Sequence, residues 1–111
     1  MSTETTHPMI SEYIRYSLPE DKIPELEPAY ERASKSLDRS SHCLDYELST
    51  CTDDRSKYIL QIHWDSHEGH LKGFRSSEEF KHFYNEIAAF IPFIEEMRHY
   101  EITSVQKARI S

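Results

Sequence analysis

Three side chains of the sequence, Trp64, His70 and His42, could transfer a proton or bind an aromatic molecule. An imidazole with its ordinary pKa of about 6.5 can accept a proton near neutral pH, so His70 and His42 are candidate general bases. The indole N–H of Trp64 can donate to a substrate oxygen while its ring stacks on an aromatic substrate. We therefore predict these three as the catalytic residues. The alternatives are core packing for Trp64 and a surface position for each histidine.

Other aromatic and basic side chains could complete a binding pocket around them. A buried tyrosine hydroxyl needs a partner, and a water or a substrate oxygen would serve. The guanidinium of Arg75 could balance an anionic substrate, although arginine at a helix junction also caps carbonyls or pairs with a carboxylate. For each tyrosine the alternative is core packing with the hydroxyl at the surface. The predicted substrate-contacting residues are Tyr16, Tyr46, Phe74, Arg75, Phe83 and Tyr84.

Three histidines, His63, His67 and His70, follow a His-x3-His-x2-His spacing that invites a metal interpretation. Strand alternation places His63 on the sheet face opposite Trp64, while His67 and His70 share a helical turn. Three ligands would therefore not converge on one ion. The sequence also lacks a GxGxxG loop, a P-loop and a CxxC pair, so we predict neither a metal nor a cofactor.

The charge balance and the apolar pattern exclude several classes of partner. The 111 residues include 20 acidic and 13 basic side chains, which leaves no broad positive surface for nucleic acid. No apolar run approaches the roughly 18 residues of a membrane span, and the first residues lack a signal-peptide pattern. We expect a cytoplasmic protein without membrane contact. Cys43 and Cys51 lie too far apart on one predicted strand to bridge within it, and we expect reduced thiols.

Apolar periodicity divides the chain into four strands and two main helices. Alternating apolar residues predict strands, whereas apolar residues at every third or fourth position predict amphipathic helices. Pro92 should kink or break the second helix. We expect a domain over 9–105, between a flexible N terminus (1–8) and a C-terminal tail (106–111). The predicted strands are 8–18, 42–52, 57–65 and 97–105, and the predicted helices are 21–38, a short 66–74 and a longer helix starting at 76–79.

The element order β, α, β, β, α, β predicts an α+β protein with the ferredoxin-like fold, in which both helices cover one face of an antiparallel sheet. In the second strand, alternation places Leu44 with His42 and Tyr46 on one face and Cys43 on the other. The sheet face without helices would carry Cys43 and Ile59. A small domain hides such a face most simply against a second copy, so we predict a homodimer.

The sequence from Ile62 onward has a distinctive order of features: a strand ending in Trp64, a serine, a short helix, and then serine and Phe80. This pattern resembles the antibiotic biosynthesis monooxygenase family, and the strand order agrees with it. The likeness extends from about residue 10 to residue 103. Three stretches, 42–48, 68–75 and 94–101, are similar to a subgroup of domains that are found fused to truncated globins.

The resemblance implies a dimeric α+β barrel with two equal sites, each between a sheet and its own helices. Some family members oxygenate phenols or hydroquinones without metal or flavin. This implies a cofactor-independent monooxygenase whose substrates are a small aromatic molecule and dioxygen. In the motif of this family Trp64 is the matching tryptophan, and His70 follows it.

Other family members degrade haem, with a strand-one asparagine, the strand-three tryptophan and a histidine on the second helix. Trp64 matches, but strand one has no asparagine and the helical position near Tyr84 has no histidine, so haem degradation is not expected. The alternative function is a non-catalytic dimeric module that binds a ligand or interacts with a haem protein. The similar globin-fused subgroup makes a globin a candidate partner.

Overall fold

The computed structural model describes residues 9–107. The predicted N-terminal segment and residues 108–111 of the predicted tail lie outside the described residues. The elements follow the predicted order. The strands are β1 (Ile10–Ser17), β2 (Cys43–Thr50), β3 (Lys57–Trp64) and β4 (Ile94–Glu101); the α-helices are α1 (Ile23–Asp38) and α2 (Glu78–Ile87); a π-helix covers Gly69–Phe74, and a 3-10 helix covers Ala88–Phe93.

The four strands form one antiparallel sheet in the order β2-β3-β1-β4. The helices cover one face of this sheet, so the predicted ferredoxin-like α+β fold is confirmed. β1 lies inside the sheet, where it pairs with β3 on one side and with β4 on the other. Within residues 9–107, no helix has the length and apolar character needed to cross a membrane.

A bulge in β2 changes the faces on which its first residues lie. The pairing with β3 shifts between Cys43 and Asp45, so the intervening Leu44 falls at the irregularity. Cys43 lies opposite Trp64 and packs against the core, while Leu44 is 50% exposed. The extra residue of a bulge reverses the alternation along a strand. The prediction that Cys43 lies on the sheet face without helices is therefore wrong. The prediction that Leu44 shares a face with Tyr46 is wrong for the same reason.

The last strand is also displaced from its predicted limits. The second helix breaks ahead of Pro92 as expected, because proline lacks the amide hydrogen that a continuing α-helix needs. α2 stops at Ile87, and the 3-10 helix that contains Pro92 ends at Phe93. β4 then begins at Ile94 and ends at Glu101, so the predicted strand 97–105 is wrong at both ends.

Two tyrosines join the sheet to the helices inside the core. Tyr16 of β1 is completely buried, and its hydroxyl shares a hydrogen bond with the hydroxyl of Tyr30 on α1. The Tyr30 ring in turn contacts Phe83 of α2 edge-on, with 6.1 Å between the ring centroids. Burial raises the pKa of Tyr16 to about 12 and raises the pKa of Tyr30 well above its ordinary value. Both hydroxyls thus stay neutral in the folded protein.

This tyrosine pair predicts a loss of stability in alkali. In the unfolded chain the two tyrosines ionise near pH 10, whereas in the folded protein both are still neutral at that pH. The free energy of unfolding should therefore fall as the pH rises from about 10 toward 12. Urea unfolding measured over this range should show a shallower fall in a Tyr16→Phe/Tyr30→Phe variant. Part of the fall should persist, because burial also raises the pKa of the Cys43 thiol to about 12. An unchanged slope in the double variant would contradict this explanation.

Candidate active site

We call the sheet face that the helices cover the inner face. A cavity of about 210 Å³ lies between this face and the helical segments that follow β3. Its walls are mainly aromatic and aliphatic, and its titratable or charged side chains are Glu12, His70, Arg75 and Tyr84. Six of the nine residues predicted for the site line this cavity. They are Trp64, His70, Phe74, Arg75, Phe83 and Tyr84.

Glu12 is a buried carboxylate that the sequence analysis missed. It lies on the inner face of β1 between Ile10 and Ile14, and only 5% of its surface is exposed. The indole Nε1–H of Trp64 donates a hydrogen bond to Glu12 Oε1 at 3.0 Å. Burial raises the pKa of Glu12, and the Trp64 hydrogen bond and the positive charge of Arg75 oppose this rise in part. The signal was present in the alternation of β1, because Glu12 has the parity of the apolar inner residues.

The π-helix after β3 places two rings against Trp64. The amide of Arg75 donates to the carbonyl of His70 at 3.0 Å, which is the i to i+5 bond of a π-helix. Ser66 Oγ accepts from the Gly69 amide at 2.8 Å near the start of this segment. The rings of His70 and Phe74 lie 4.6 and 5.0 Å from that of Trp64, measured between centroids. π-helical turns occur often at functional sites, and this one shapes a cavity wall.

His70 lies beside the carboxylate but is a weak base. Its Nε2 is 3.6 Å from Glu12 Oε1, and its side chain is 2% exposed. Burial is the largest of several causes, with the positive charges of His99, Arg75 and His67, that together lower the pKa of His70 to about 3. The imidazole is therefore neutral near pH 7 and has little affinity for a proton. Of the two groups, Glu12 is the stronger proton acceptor in the cavity.

His99 of β4, which is partly exposed, completes a cluster with these two buried residues. β1 pairs with β4 so that His99 lies directly opposite Glu12, and His99 Nε2 is 3.9 Å from Glu12 Oε2. The His99 and His70 rings are 4.9 Å apart between centroids. His63, by contrast, lies on the other sheet face and binds Asp45. The three histidines that are close in sequence, His63, His67 and His70, therefore do not meet at one point. The cluster forms instead from residues that are distant in sequence.

Arg75 and Tyr84 lie toward the solvent side of the cavity. The Arg75 guanidinium lies over the ring of Phe80, 5.3 Å from its centroid. Tyr84 is 45% exposed, and its ring contacts Phe80 at 6.0 Å between centroids. A cationic group at the rim of an otherwise apolar cavity favours a ligand that carries negative charge.

The other three predicted site residues lie elsewhere. Tyr16 is in the core with its hydroxyl on Tyr30, and it is not part of the cavity wall. Tyr46 lines a separate groove between α1 and the sheet and donates to Asp38 Oδ1 at 2.6 Å. His42 packs on the outside of the π-helix, where its Nδ1 is 3.0 Å from Asp65 Oδ2.

The fold and this cavity define a class: small ferredoxin-like α+β domains with a site between the sheet and its helices. Residues 9–86 match the sequence model of the antibiotic biosynthesis monooxygenase family, so the chain belongs to that family. It is 29% identical over 73 residues to the uncharacterised protein YczJ of Bacillus subtilis strain 168. The matched segment covers 66% of this chain and 77% of YczJ.

Solved structures share the fold. One is a candidate antibiotic biosynthesis monooxygenase from Bordetella bronchiseptica, which is 18% identical with a TM-score of 0.72 over 87% of this chain and 99% of that chain. Another is SnoaB, a cofactor-independent oxygenase from Streptomyces nogalater, which is 15% identical with a TM-score of 0.69 over 90% of this chain and 96% of that chain. At these identities the likeness concerns the fold. The similarity to globin-fused domains stays a prediction.

The contact between His42 and the π-helix gives a testable prediction. A Cβ added at Gly73 would overlap the His42 ring, so Gly73→Ala should destabilise the protein by about 1–3 kcal/mol. In a His42→Ala background the space is free, and the same change should be neutral or stabilising by up to about 1 kcal/mol, because alanine favours helices. The double-mutant cycle is measured by urea unfolding. An equal cost in both backgrounds would show that His42 is not the obstacle.

Proposed function

We propose that the protein is a monooxygenase that acts on a small phenolic or quinol-type molecule without a bound cofactor. The observation that carries the proposal is the buried Glu12 carboxylate, which Trp64 holds at 3.0 Å beside an aromatic cavity. Family membership supports the reaction class, as does the fold shared with a cofactor-independent oxygenase. A cavity of about 150 Å³ accommodates benzene, so the 210 Å³ here suits a single substituted ring.

Glu12 is the group that starts the reaction in this proposal. Its carboxylate is removed from water, which makes it a stronger base than an exposed carboxylate, and it accepts the phenolic proton. The neutral His70 ring and the Trp64 ring border the same space and orient the aromatic substrate. Arg75 at the rim supplies the positive charge that stabilises the resulting phenolate.

The deprotonated substrate then supplies all the electrons that dioxygen needs. One electron passes to dioxygen, the two radicals combine to a peroxide on a ring carbon, and Glu12 returns the phenolic proton to give a hydroperoxide. Cleavage of the O–O bond, with loss of the hydrogen on that ring carbon as a proton, places one oxygen in a new carbonyl and releases the other as water. The substrate is oxidised and dioxygen is reduced, so the balance requires no further reductant. The share of the protein is proton transfer, orientation and exclusion of water.

Oxygen uptake by the purified protein, with a metal chelator present, tests the proposal on a panel of hydroquinones and monocyclic phenols. Glu12→Gln keeps the size of the side chain but removes the base, and it should lower kcat by at least about 100-fold. Trp64→Phe keeps a ring but loses the donor, and about a tenfold loss is expected. The matched control is His82→Asn, an exposed change on α2 that should leave turnover unchanged.

Uptake no faster than the uncatalysed rate with every compound would refute the oxygenase. Quenching of Trp64 fluorescence by the same compounds would then favour the alternative of a non-catalytic ligand-binding module. Full activity in Glu12→Gln would leave the oxygenase standing but refute the role of this carboxylate. A globin partner and a cytoplasmic location stay predictions.

We also propose that two copies pair through the sheet face that the helices leave uncovered. Tyr13 and Tyr100 meet there edge-on, with 6.3 Å between centroids, and Tyr100 is 49% exposed. Ile59 of β3 pairs with Arg15 of β1 on the same face. Aromatic and aliphatic groups on an open sheet face favour burial against a self-complementary surface.

Sedimentation equilibrium tests the homodimer. The wild-type protein should have twice the mass of one chain, and Tyr100→Lys should shift it toward the monomer because the new charge would be buried in the interface. Asn85→Lys adds the same charge on an exposed part of α2 and serves as the control. A wild-type protein that sediments at the mass of one chain at high concentration would refute the pairing.

A further inference from the structure

Glu12, His70 and His99 form a cluster in which the carboxylate faces two imidazoles without a hydrogen bond between the three residues, and Glu12 Oε1 accepts its hydrogen bond from Trp64. Each contributes one potential ligand atom, and these atoms all lie within 4.8 Å of one another. The three residues come from β1, the π-helix and β4, so three elements of the fold converge on this point. We propose that the cluster binds a divalent transition-metal ion.

The unpartnered imidazole nitrogens point to a ligand. Both ring nitrogens of His70 and Nε2 of His99 are buried and have no hydrogen-bond partner within the described part of the chain. Buried polar atoms in native proteins are nearly always hydrogen-bonded, so such atoms call for a further partner. The side chain of His70 is 2% exposed and that of Glu12 is 7% exposed, which places this partner inside the protein.

The distances are close to those of a metal centre. Ligand bonds of about 2.0–2.2 Å in tetrahedral geometry separate neighbouring ligand atoms by about 3.4 Å. His70 Nε2 is 3.6 Å from Glu12 Oε1, and His99 Nε2 is 3.9 Å from Glu12 Oε2. One ligand atom from each residue can be chosen so that all three lie within 4.8 Å of one another, and modest closure would bring these three atoms to one ion. β4 is an edge strand, so His99 can move without breaking a second ladder.

The donor set selects the class of ion. Two imidazoles and one carboxylate suit zinc, iron(II) and other first-row divalent transition-metal ions, whereas magnesium and calcium prefer oxygen ligands throughout. Three protein ligands leave at least one coordination position open. Because Glu12 and His70 also line the cavity, that position is directed toward the space where a ligand would lie.

The cation would compete with the proposed oxygenase chemistry. A bound zinc ion is redox-inert and would occupy the carboxylate oxygens that otherwise accept the substrate proton. This consequence rests on the proposed function, whereas metal binding itself does not. A binding measurement therefore decides the inference even if no substrate is turned over.

An outer groove offers a rival location for a metal. His67 and His99 meet there edge-on, with 5.8 Å between ring centroids, and Glu68 and Glu101 line the same groove. A metal held by surface side chains would need His67 and would not need Glu12 or His70. The two locations therefore predict opposite responses to substitution.

Trp64 provides a local reporter, because it is the single tryptophan of the chain and its ring lies 4.6 Å from that of His70. Titration of the chelator-treated protein with Co²⁺ should quench Trp64 fluorescence and saturate at one ion per chain. Zn²⁺ should displace Co²⁺ and restore the emission. Calorimetry with Zn²⁺ gives the stoichiometry independently.

Substitutions then locate the ion. Glu12→Gln and His99→Asn should each weaken Co²⁺ binding by at least about tenfold, since each removes a ligand. His67→Asn and His63→Asn are the controls and should bind like the wild type. His99 lies partly at the surface of an edge strand, so His99→Asn should fold even if Glu12→Gln does not, as judged by circular dichroism. Because His99 also lines the outer groove, its loss locates the ion in the inner cluster only when His67→Asn still binds.

Two results would overturn the inference. The first is the absence of saturable Co²⁺ quenching in the wild-type protein, which would show that the three side chains hold no metal ion. The second is quenching that persists in His99→Asn or disappears in His67→Asn, which would place the metal elsewhere. Oxygen uptake with and without chelator is a separate measurement, so a failed oxygenase and a failed metal site remain distinguishable. Where turnover occurs, added Zn²⁺ should abolish it in the wild type.

Discussion

The structure is organised around the burial of one carboxylate on the apolar side of an inner strand. Glu12 lies between Ile10 and Ile14 on β1, where almost no surface reaches solvent. A carboxylate in such a place requires a donor, and Trp64 of the neighbouring β3 supplies one. The indole is thus held in a fixed position by a polar contact as well as by packing. The rings of His70 and Phe74 are arranged around it, and the cavity follows from their arrangement.

The wall opposite the sheet depends on small residues as much as on large ones. Gly69 and Gly73 let the His42 ring lie directly against the π-helix, while the Asp65 carboxylate holds that ring in place. His42 therefore acts from outside on the segment that carries His70. A π-helix is less favourable than an α-helix for an isolated peptide, so contacts of this kind stabilise the wider turn. The site residues and their support come from opposite sides of the same short segment.

Much of the fold was predictable because hydrophobic alternation and helical periodicity are local properties. The inner positions Tyr58, Leu60, Ile62 and Trp64 illustrate this for β3, and all four are buried. The bulge at Leu44 was not predictable, because the residue types around it look like those of a regular strand. The one extra residue nevertheless reverses the faces on which its neighbours lie. Six of the predicted site residues do line one cavity.

The remaining site residues depend on pairing between distant strands. Glu12 carried a readable signal, a charge at an inner parity, but its significance rests on the Trp64 hydrogen bond across β1 and β3. His99 meets Glu12 only because β4 pairs with β1, and the sequence does not state which strands are neighbours. Tyr46 shares the parity of inner residues, yet it faces a groove beside α1, since β2 lies at the far edge of the sheet.

The inner position of β1 has a consequence for the synthesis of the protein. β1 is translated first among the strands, but one of its two hydrogen-bonding edges is covered only by β4, which is translated last. A nascent chain that has formed only β1, β2 and β3 presents an open strand edge beside a half-built apolar face, the kind of surface through which incomplete chains associate. Ribosome-bound intermediates of this protein are therefore exposed to aggregation until Ile94–Glu101 has emerged and the edge is closed.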